Sequence, residues 1–169
     1  MLDKCKAYFI EASRMLTVKT HLAPSKIHGI GLFASEEIPA KSILWKYNRF
    51  VDKIISKQAF LKICSDLDFN ALQHFLNSTY KKNNKYFYLT DNARFINHSL
   101  ESYNISFFDD FTEITLCDIH EGDELLENYF HVYDEDDFFF QELYNKNPYD
   151  YLKIITQGFR TNVHHQHIS

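Results

Sequence analysis

The chain has 169 residues with 18 basic and 23 acidic side chains, a net charge of −5, and this length suits one domain rather than two independent cores. Aromatic residues make up 17% of the chain, whereas it has only 4 Gly and 3 Pro, which excludes a disordered or collagen-like protein. The excess of acidic residues and the lack of a long Lys/Arg block disfavour a protein that binds the phosphate backbone of a nucleic acid. They favour a basic partner.

The first third of the chain predicts a small antiparallel β unit over residues 16–51. Alternating polar and apolar residues, several of them β-branched, predict a strand over 16–22, and Pro24-Ser25 predicts a turn after it. Composition typical of strands returns at 29–34 and, after a second turn, at 42–47.

Residues 52–85 predict a helical insert between β elements. Their apolar side chains recur at spacings of three, four and seven, the pattern of a helix with one buried face. Ser56 and Asp68 are the expected N-caps of two helices, with a break around 65–69. A polar, basic loop over 81–85 is expected to end the insert.

Strands are predicted again over residues 86–133. The segments with strand composition are 86–90, 105–108, 111–117 and 124–129, the last after a turn at 121–123. Residues 134–160 combine acidic and aromatic side chains and predict a C-terminal helical segment, and 161–169 predict a disordered tail. The sequence therefore predicts one α+β domain over 1–169 that is mostly β, with a helical insert and a C-terminal helix.

The cysteines and the N-terminal residues indicate the cellular compartment of the protein. Cys5, Cys64 and Cys117 lie too far apart for a zinc cluster, and their odd number suits a reducing compartment. Glu11 and Arg14 interrupt the first apolar stretch, so this stretch predicts neither a signal-peptide core nor a membrane-spanning helix. We therefore expect a soluble intracellular protein, cytoplasmic or nuclear, with no metal site and no membrane partner.

The segment Gly29-Ile30-Gly31-Leu32-Phe33-Ala34 has the G-x-G-x-x-A form of a dinucleotide-binding fingerprint. That fingerprint requires a following helix, and Pro39 falls where the interior of this helix would be, so a nucleotide-binding oxidoreductase is disfavoured. Two interpretations remain open for the segment: a backbone that approaches a ligand closely, or a simple tight turn.

Two further segments carry polar groups beside apolar ones. In Arg94-Phe95-Ile96-Asn97-His98-Ser99, the Asn amide and the His ring offer donors and acceptors for a small molecule, although a local turn with a satisfied histidine is the alternative. In Glu124-Leu125-Leu126-Glu127-Asn128-Tyr129, the final hydroxyl suits a cleft that orients an amine, although most tyrosines at strand ends only pack a ring.

Taken together and in this order, these three segments resemble the signature blocks of the SET-domain family of protein lysine methyltransferases, over about residues 16–133. The resemblance implies a fold of small β-sheets in which the Asn-His segment and the C-terminal stretch cross in a pseudoknot. It also implies a neighbouring pocket for S-adenosylmethionine. The cysteine-rich zinc-binding flanks of many relatives are missing.

The resemblance also implies roles for individual residues. Those expected at the cofactor are Gly29, Ile30, Gly31, Arg94, Phe95, Asn97 and His98. Those expected at the reacting lysine are Tyr129 as the catalytic tyrosine, with Tyr47 and Phe107 in the lysine channel. Departures from the family pattern are Asn128 in place of the usual Asp, Arg49 in place of a common glycine, and residues 100–102 after the Asn-His-Ser block.

The resemblance therefore predicts methyl transfer from S-adenosylmethionine to a lysine of a basic protein or peptide, without a metal and without direct nucleic-acid binding. The alternative is a SET-like binding module with little or no turnover, which the departures keep open. The acidic run of residues 134–137 is interpreted either as an attractor for a basic substrate or as a solvated face. The aromatic C-terminal region is the candidate to complete the lysine channel.

Overall fold

The computed structural model describes residues 15–140 and 148–157. The strands are β1 Thr20–Pro24, β2 Ile30–Ala34, β3 Ile43–Lys46, β4 Lys53–Ile55, β5 Thr79–Lys82, β6 Lys85–Tyr88, β7 Asn97–His98, β8 Ile105–Asp109, β9 Thr112–Thr115 and β10 Leu126–Glu127. The helices are α1 Lys57–Asp66, α2 Phe69–Asn77 and α3 Pro148–Gln157, and short 3₁₀ turns cover Asn92–Phe95, Tyr129–His131 and Phe138–Phe140. No helix of these described residues is long and apolar enough to cross a membrane.

The strands form three sheets. β1 and β2 make an antiparallel hairpin, β4, β6 and β5 make an antiparallel sheet of three strands, and the largest sheet has the order β3-β9-β8-β10-β7. In the largest sheet β7 runs parallel to β10, with Asn97 opposite Leu126 and His98 opposite Glu127. The two segments that the resemblance implies to cross are therefore neighbours, and the predicted class, mostly β with a few helices, is confirmed.

The first strand differs from its predicted bounds. It begins at Thr20 instead of residue 16 and ends at Pro24, where the turn was expected. Leu16 instead makes an isolated bridge to Trp45, and the Thr17 amide donates to the Leu44 carbonyl at 2.8 Å. The residues of the alternating pattern 16–22 thus pair with two different sheets, which the local pattern does not reveal.

The two helices of the insert follow the expected caps. The Ser56 hydroxyl accepts the Ala59 N–H at 3.3 Å, and the Asp68 carboxylate accepts the Ala71 N–H at 2.9 Å. Each bond satisfies one of the amides that have no partner within the first turn of a helix. The break between the helices falls at residues 67–68.

The predicted helical insert also contains two strands, which corrects its assignment. β4 precedes α1, and β5 follows α2 and occupies part of the expected loop at 81–85. Asn83 and Asn84 have positive φ angles of 51° and 58° and form the tight turn between β5 and β6. Two consecutive asparagines tolerate this left-handed backbone, so the polar run is a hairpin turn flanked by strands.

The C-terminal segment is only partly helical. Among residues 134–140 the structure has the 3₁₀ turn at 138–140, and α3 begins at Pro148. The predicted helical segment over 134–160 is therefore wrong for residues 134–137, because aspartates there bond to the β5–β6 hairpin instead of forming a helical turn. Residues 141–147 and 158–169, with the predicted tail, lie outside the described residues.

Two hydrophobic clusters position the site. One lies between the sheets and includes Leu32, Trp45, Tyr80 and Phe87, and the other lies under α1, α2 and α3. Phe138 belongs to the second cluster and is 3% exposed. The chain after Tyr129 therefore passes from the large sheet to the helices, and a cavity lies along this path.

Candidate active site

A cavity of about 410 Å³ lies where the three motif segments meet. Its walls come from the β1–β2 turn, the end of α2 with the start of β5, the 3₁₀ turn before β7, and the two 3₁₀ turns that follow β10. The residues that line it include His28, Gly29, Ile30, Tyr80, Arg94, Phe95, Ile96, Asn97, Tyr129, Tyr133, Asp137, Phe138 and Phe139.

The cavity brings together six of the ten residues predicted for the site. These six are Gly29, Ile30, Arg94, Phe95, Asn97 and Tyr129. Gly31 and His98 do not line the cavity: Gly31 lies against Glu124, and His98 accepts the backbone N–H of Tyr129. Tyr47 and Phe107 do not line the cavity and are connected to it through other aromatic rings.

The Asn97 side chain ties the β1–β2 turn to the C-terminal motif. Its Nδ2 donates to Glu124 Oε1 at 2.8 Å and to the His28 carbonyl oxygen at 3.1 Å. The Ser25 hydroxyl donates to the other carboxylate oxygen of Glu124 at 3.0 Å. Glu124, to which the sequence assigned no role of its own, begins the third signature segment, bonds to Asn97 of the second and makes an isolated bridge with Phe33 of the first.

The two glycines of the turn serve different purposes. Gly29 has φ +51°, a left-handed conformation that side chains disfavour, and no atom lies within 4 Å of where its Cβ would stand. At Gly31 a Cβ would stand 2.2 Å from Glu124 Oε1, so any side chain would displace that carboxylate. Gly29 thus exposes backbone to the cavity, whereas Gly31 makes room for Glu124.

His98 positions Tyr129 from behind the wall. The Tyr129 backbone N–H donates to His98 Nδ1 at 3.1 Å, which requires an unprotonated Nδ1 and a neutral ring. The Glu127 carbonyl oxygen lies 3.2 Å from the same nitrogen, but it already accepts the Ser99 amide at 3.0 Å. Burial lowers the pKa of His98, which favours the same neutral form.

Tyr129 is held at its hydroxyl and its ring as well. The hydroxyl donates to the Ile96 carbonyl, and the ring centroid lies 4.4 Å from that of Tyr133 and 4.7 Å from that of Phe139. Asn128, which replaces the usual acid, caps the 3₁₀ turn through its Oδ1, which accepts the Phe130 N–H at 3.1 Å. An amide oxygen supplies this bond as a carboxylate would, so the departure at 128 leaves Tyr129 positioned.

The acidic run of residues 134–137 bonds within the chain. Asp137 is 3% exposed, lines the cavity, and accepts the amides of Lys81 at 2.5 Å and Phe139 at 2.8 Å. The Lys81 ammonium bonds to Asp136 and lies 3.6 Å from Asp134. Burial raises the pKa of Asp137 to about 7, since a charged carboxyl there loses its hydration.

Tyr47 and Phe107 belong to an aromatic column that leads away from the cavity. Stacked rings connect Tyr129 to Tyr133 at 4.4 Å, Tyr133 to Tyr80 at 5.0 Å, and Tyr80 to Phe87 at 5.0 Å. Tyr47 meets Phe87, and Phe107 meets Tyr80. The structure thus places Tyr80 and Tyr133, which were not predicted for the site, between Tyr129 and the two expected channel residues.

Sequence reasoning gave no site role to Glu124, Tyr80 and Tyr133 because each is one of many similar side chains in this aromatic and acidic chain. It considered Asp137 only as part of the acidic run 134–137 and not as a residue of the cavity. A signal was present for Phe138 and Phe139, because the C-terminal aromatic region had been expected to complete the channel. In residues 15–140 and 148–157, no group of three or more His, Cys, Asp or Glu side chains is placed to hold a metal ion. His164, His165 and His167 near the end of the chain, which could bind a metal at the surface, lie outside those ranges.

The fold and the cavity define a mostly β protein in which a glycine turn, an Asn-His strand and a terminal tyrosine meet at one small-molecule-sized site. A family model described as the SET domain matches residues 29–130, more than half of the chain. The chain therefore belongs to the SET-domain family. No curated protein matches it.

Solved structures agree in fold. The chain is similar to a Polycomb Repressive Complex 2 structure in an autoinhibited conformation bound to S-adenosylmethionine, at 19% identity and a TM-score of 0.52, over 73% of this chain and 16% of that chain. It is also similar to a humanized mutant of the Chaetomium thermophilum complex bound to an inhibitor, at 21% identity and a TM-score of 0.50, over 69% and 15% of the two chains. This chain thus spans less than a fifth of the length of these relatives.

Proposed function

We propose that this protein transfers a methyl group from S-adenosylmethionine to the side-chain amine of a lysine in a basic protein or peptide. The observation that carries the proposal is the convergence of three signature segments, distant in sequence, on one cavity. We propose Gly29, Ile30, Arg94, Phe95 and Asn97 as its cofactor-facing residues, with Gly31 and His98 supporting them from behind.

The residues at the cavity fit this cofactor. Gly29 offers open backbone, and aromatic side chains that line the cavity, Phe139 among them, suit an aromatic base. The Asp137 carboxyl suits a positively charged ligand, and the Asn97 amide is already fixed by Glu124. When bound, S-adenosylmethionine supplies a methyl group on a positively charged sulfur.

The residues of the chain would prepare the lysine for this transfer. An amine attacks only when uncharged, and lysine has an ordinary pKa near 10.4, so the site must favour loss of a proton. Aromatic walls from Tyr129, Tyr133 and Phe139 exclude water, which lowers the pKa of a buried ammonium. The Tyr129 hydroxyl, which the resemblance implies to be that of the catalytic tyrosine, would then orient the nitrogen.

The test combines binding and turnover. Calorimetry should show binding of S-adenosylmethionine and of its demethylated product. Intact-mass analysis of candidate basic proteins incubated with enzyme and cofactor should show added methyl groups, and peptide mapping should place them on lysine. Cofactor binding without methylation of any basic protein, in a folded sample, would contradict the proposed transfer.

A binding module without turnover is the second candidate function, and one observation favours it. Tyr80 is 5% exposed and stands between Tyr129 and the expected channel residues Tyr47 and Phe107. A lysine that needs these two residues would have to pass this ring. Under this candidate a basic peptide binds with the cofactor present, and no labelled methyl group is transferred to it.

A further inference from the structure

Asp137 is the single acidic side chain among the described residues that line the cavity. The residue is 3% exposed, so its carboxyl group has lost most of its contact with bulk water. An ionised carboxyl group is costly in such a place unless hydrogen-bond donors or a cation compensate for the lost hydration. The groups around Asp137 therefore indicate which ligand its carboxyl group suits.

Two backbone amides hold the Asp137 carboxyl group, one on each oxygen. Oδ2 accepts the Lys81 N–H of β5 at 2.5 Å, and Oδ1 accepts the Phe139 N–H of the following 3₁₀ turn at 2.8 Å. A carboxylate has about four acceptor positions, so each oxygen still has one for a further donor. The carboxyl group is thus fixed at the cavity and remains able to accept a hydrogen bond from a ligand.

The cation nearest in sequence to these contacts is used by other acids. The Lys81 ammonium bonds to Asp136 and lies 3.6 Å from Asp134. Within residues 15–140 and 148–157, no basic side chain forms an ion pair with Asp137. Because no such cation opposes the effect of burial, the pKa of the Asp137 carboxyl is raised to about 7. The described part of the chain thus provides the acidic partner of an ion pair at the cavity without the basic one.

Arg94 brings the opposite charge to the same cavity. Its guanidinium carbon lies 4.8 Å from the centroid of the Phe95 ring, and in the described ranges it has no ion-pair partner either. A cavity with one carboxyl and one guanidinium group complements a ligand that carries both an ammonium and a carboxylate group. The amino-acid end of S-adenosylmethionine carries these two groups.

Three cations of the proposed reaction could meet the Asp137 carboxylate, and their chemistry distinguishes them. The sulfonium loses its charge during transfer, so a carboxylate beside it would stabilise the reactant more than the transition state. A carboxylate beside the target lysine would raise the pKa of its ammonium and oppose the loss of the proton. The α-ammonium of the cofactor keeps its charge throughout, so a carboxylate there adds binding without slowing the reaction.

We infer that Asp137 binds the α-ammonium group at the amino-acid end of the cofactor. This inference rests on the proposed function and adds a binding residue that none of the signature segments contains. The demethylated product, S-adenosylhomocysteine, keeps the same ammonium group. Asp137 should therefore contribute equally to the binding of cofactor and product, and nothing to the binding of a ligand without the amino-acid end.

The experiment is calorimetry on the wild type, D137N and D134N at about pH 8, above the raised pKa of about 7. The ligands are S-adenosylmethionine, S-adenosylhomocysteine and methylthioadenosine, which lacks the amino-acid end. D137N should bind the first two about 10–100-fold more weakly, the usual effect of losing a hydrogen bond to a charged group, and methylthioadenosine as the wild type does. D134N is the matched control, because Asp134 also accepts two backbone amides of the β5–β6 hairpin but does not line the cavity.

A second measurement changes the ligand and needs no variant to fold. An S-adenosylhomocysteine analogue with hydrogen in place of its amine should bind the wild type about as weakly as D137N binds the unmodified product, and D137N should weaken it no further. A wild type that binds this analogue as tightly as the product, or a loss in D137N that includes methylthioadenosine, overturns the inference. A loss in D137N confined to S-adenosylmethionine, or confined to the KM of a lysine peptide, also overturns it. Binding that follows the expected pattern in a protein that methylates no lysine overturns the proposed transfer and leaves the role of Asp137 standing.

Discussion

At the scale of single residues, the site depends on groups that position one another. Tyr129 is fixed by His98 at its amide and by the Ile96 carbonyl at its hydroxyl, and Asn97 is fixed by Glu124. Positioning of this kind matters for group transfer because a misplaced reacting group loses most of its effect on rate. Two predictions follow from these contacts, one for the reaction and one for the cofactor.

Tyr129→Phe should reduce turnover by about 10²–10³-fold, because it removes one preorganised polar contact while the ring still packs on Tyr133 and Phe139. Affinity for S-adenosylmethionine should change little. Single-turnover rates and thermal melts of both proteins check this. Tyr149→Phe is the control, since that hydroxyl lies outside the cavity, on the Leu67 carbonyl. A stable Tyr129→Phe protein with the wild-type rate would contradict the assignment of Tyr129 as the catalytic tyrosine.

Asn97→Ala should weaken binding of S-adenosylmethionine by about 1–3 kcal/mol, because Glu124 and the β1–β2 turn lose a shared donor. Calorimetry measures the change. Asn92→Ala, an exposed asparagine in the 3₁₀ turn just before β7, is the matched control and should bind as the wild type does. Equal affinity in Asn97→Ala and wild type would remove Asn97 from the cofactor site.

At the scale of elements, the β5–β6 hairpin is attached to the chain that follows Tyr129. The Asp134 carboxylate accepts the amides of Asn83 at 2.9 Å and Asn84 at 2.8 Å, the two residues with positive φ in the turn. Asp137 accepts the Lys81 amide on the same hairpin. The acidic run thus holds Tyr80, on β5, against Tyr133 and the cavity.

Asp134→Ala should lower the free energy of unfolding by about 1–3 kcal/mol, because two backbone amides of the turn lose a charged acceptor. Glu135→Ala is the control, since Glu135 is exposed beside it. Urea unfolding of both variants measures the difference. If the two variants proved equally stable, the acidic run would be only a solvated face.

At the scale of the whole molecule, the interior is unusually acidic for a hydrophobic core. Asp52, Glu113, Glu127 and Asp137 are all buried, and burial raises the pKa of each. Asp91, at the edge of the same core, has its pKa raised to about 6 for the same reason. The folded protein therefore holds protons that the unfolded chain would release.

The free energy of unfolding should consequently fall as pH rises. Between the ordinary carboxyl pKa near 4 and the folded values of about 6 for Asp91 and about 7 for Asp137, the folded state binds more protons than the unfolded state. The loss should be on the order of a few kcal/mol, since one pKa unit corresponds to about 1.4 kcal/mol. The lowered pKa of His98 makes an opposite contribution, a rise of stability with pH. This single group is outweighed by the several buried carboxyl groups.

Urea unfolding at pH 5 and pH 8 measures this fall in the free energy of unfolding. The two pH values lie just above the ordinary and the raised carboxyl pKa values of roughly 4 and 7. Asp137→Asn should flatten the dependence on pH because it removes the carboxyl group whose pKa burial raises to about 7. Stability that increases from the lower to the higher pH would contradict the account of the buried acids.

The sequence by itself determined what depends on local chemistry. Ser56 and Asp68 predicted where the two helices begin, because an N-cap needs a side-chain oxygen close to the first turn. The three signature segments identified the family because their residue types recur in order, and six of the ten expected site residues line one cavity. Residues 16–22 and 81–85 were misassigned because their pattern is shared by strands, loops and hairpin turns.

Only the tertiary structure decided which side chains meet across the chain. Glu124 sits between Asn97 and Gly31, Tyr80 stands between Tyr129 and the expected channel residues, and Asp137 turns inward to the Lys81 amide. Each contact joins segments 27 or more residues apart. Strand order and packing set such distances, and a pattern of residue types along the chain contains neither. Glu113 lies opposite Phe107 and Glu127 opposite Ile105 only because β8 lies between β9 and β10 in the sheet.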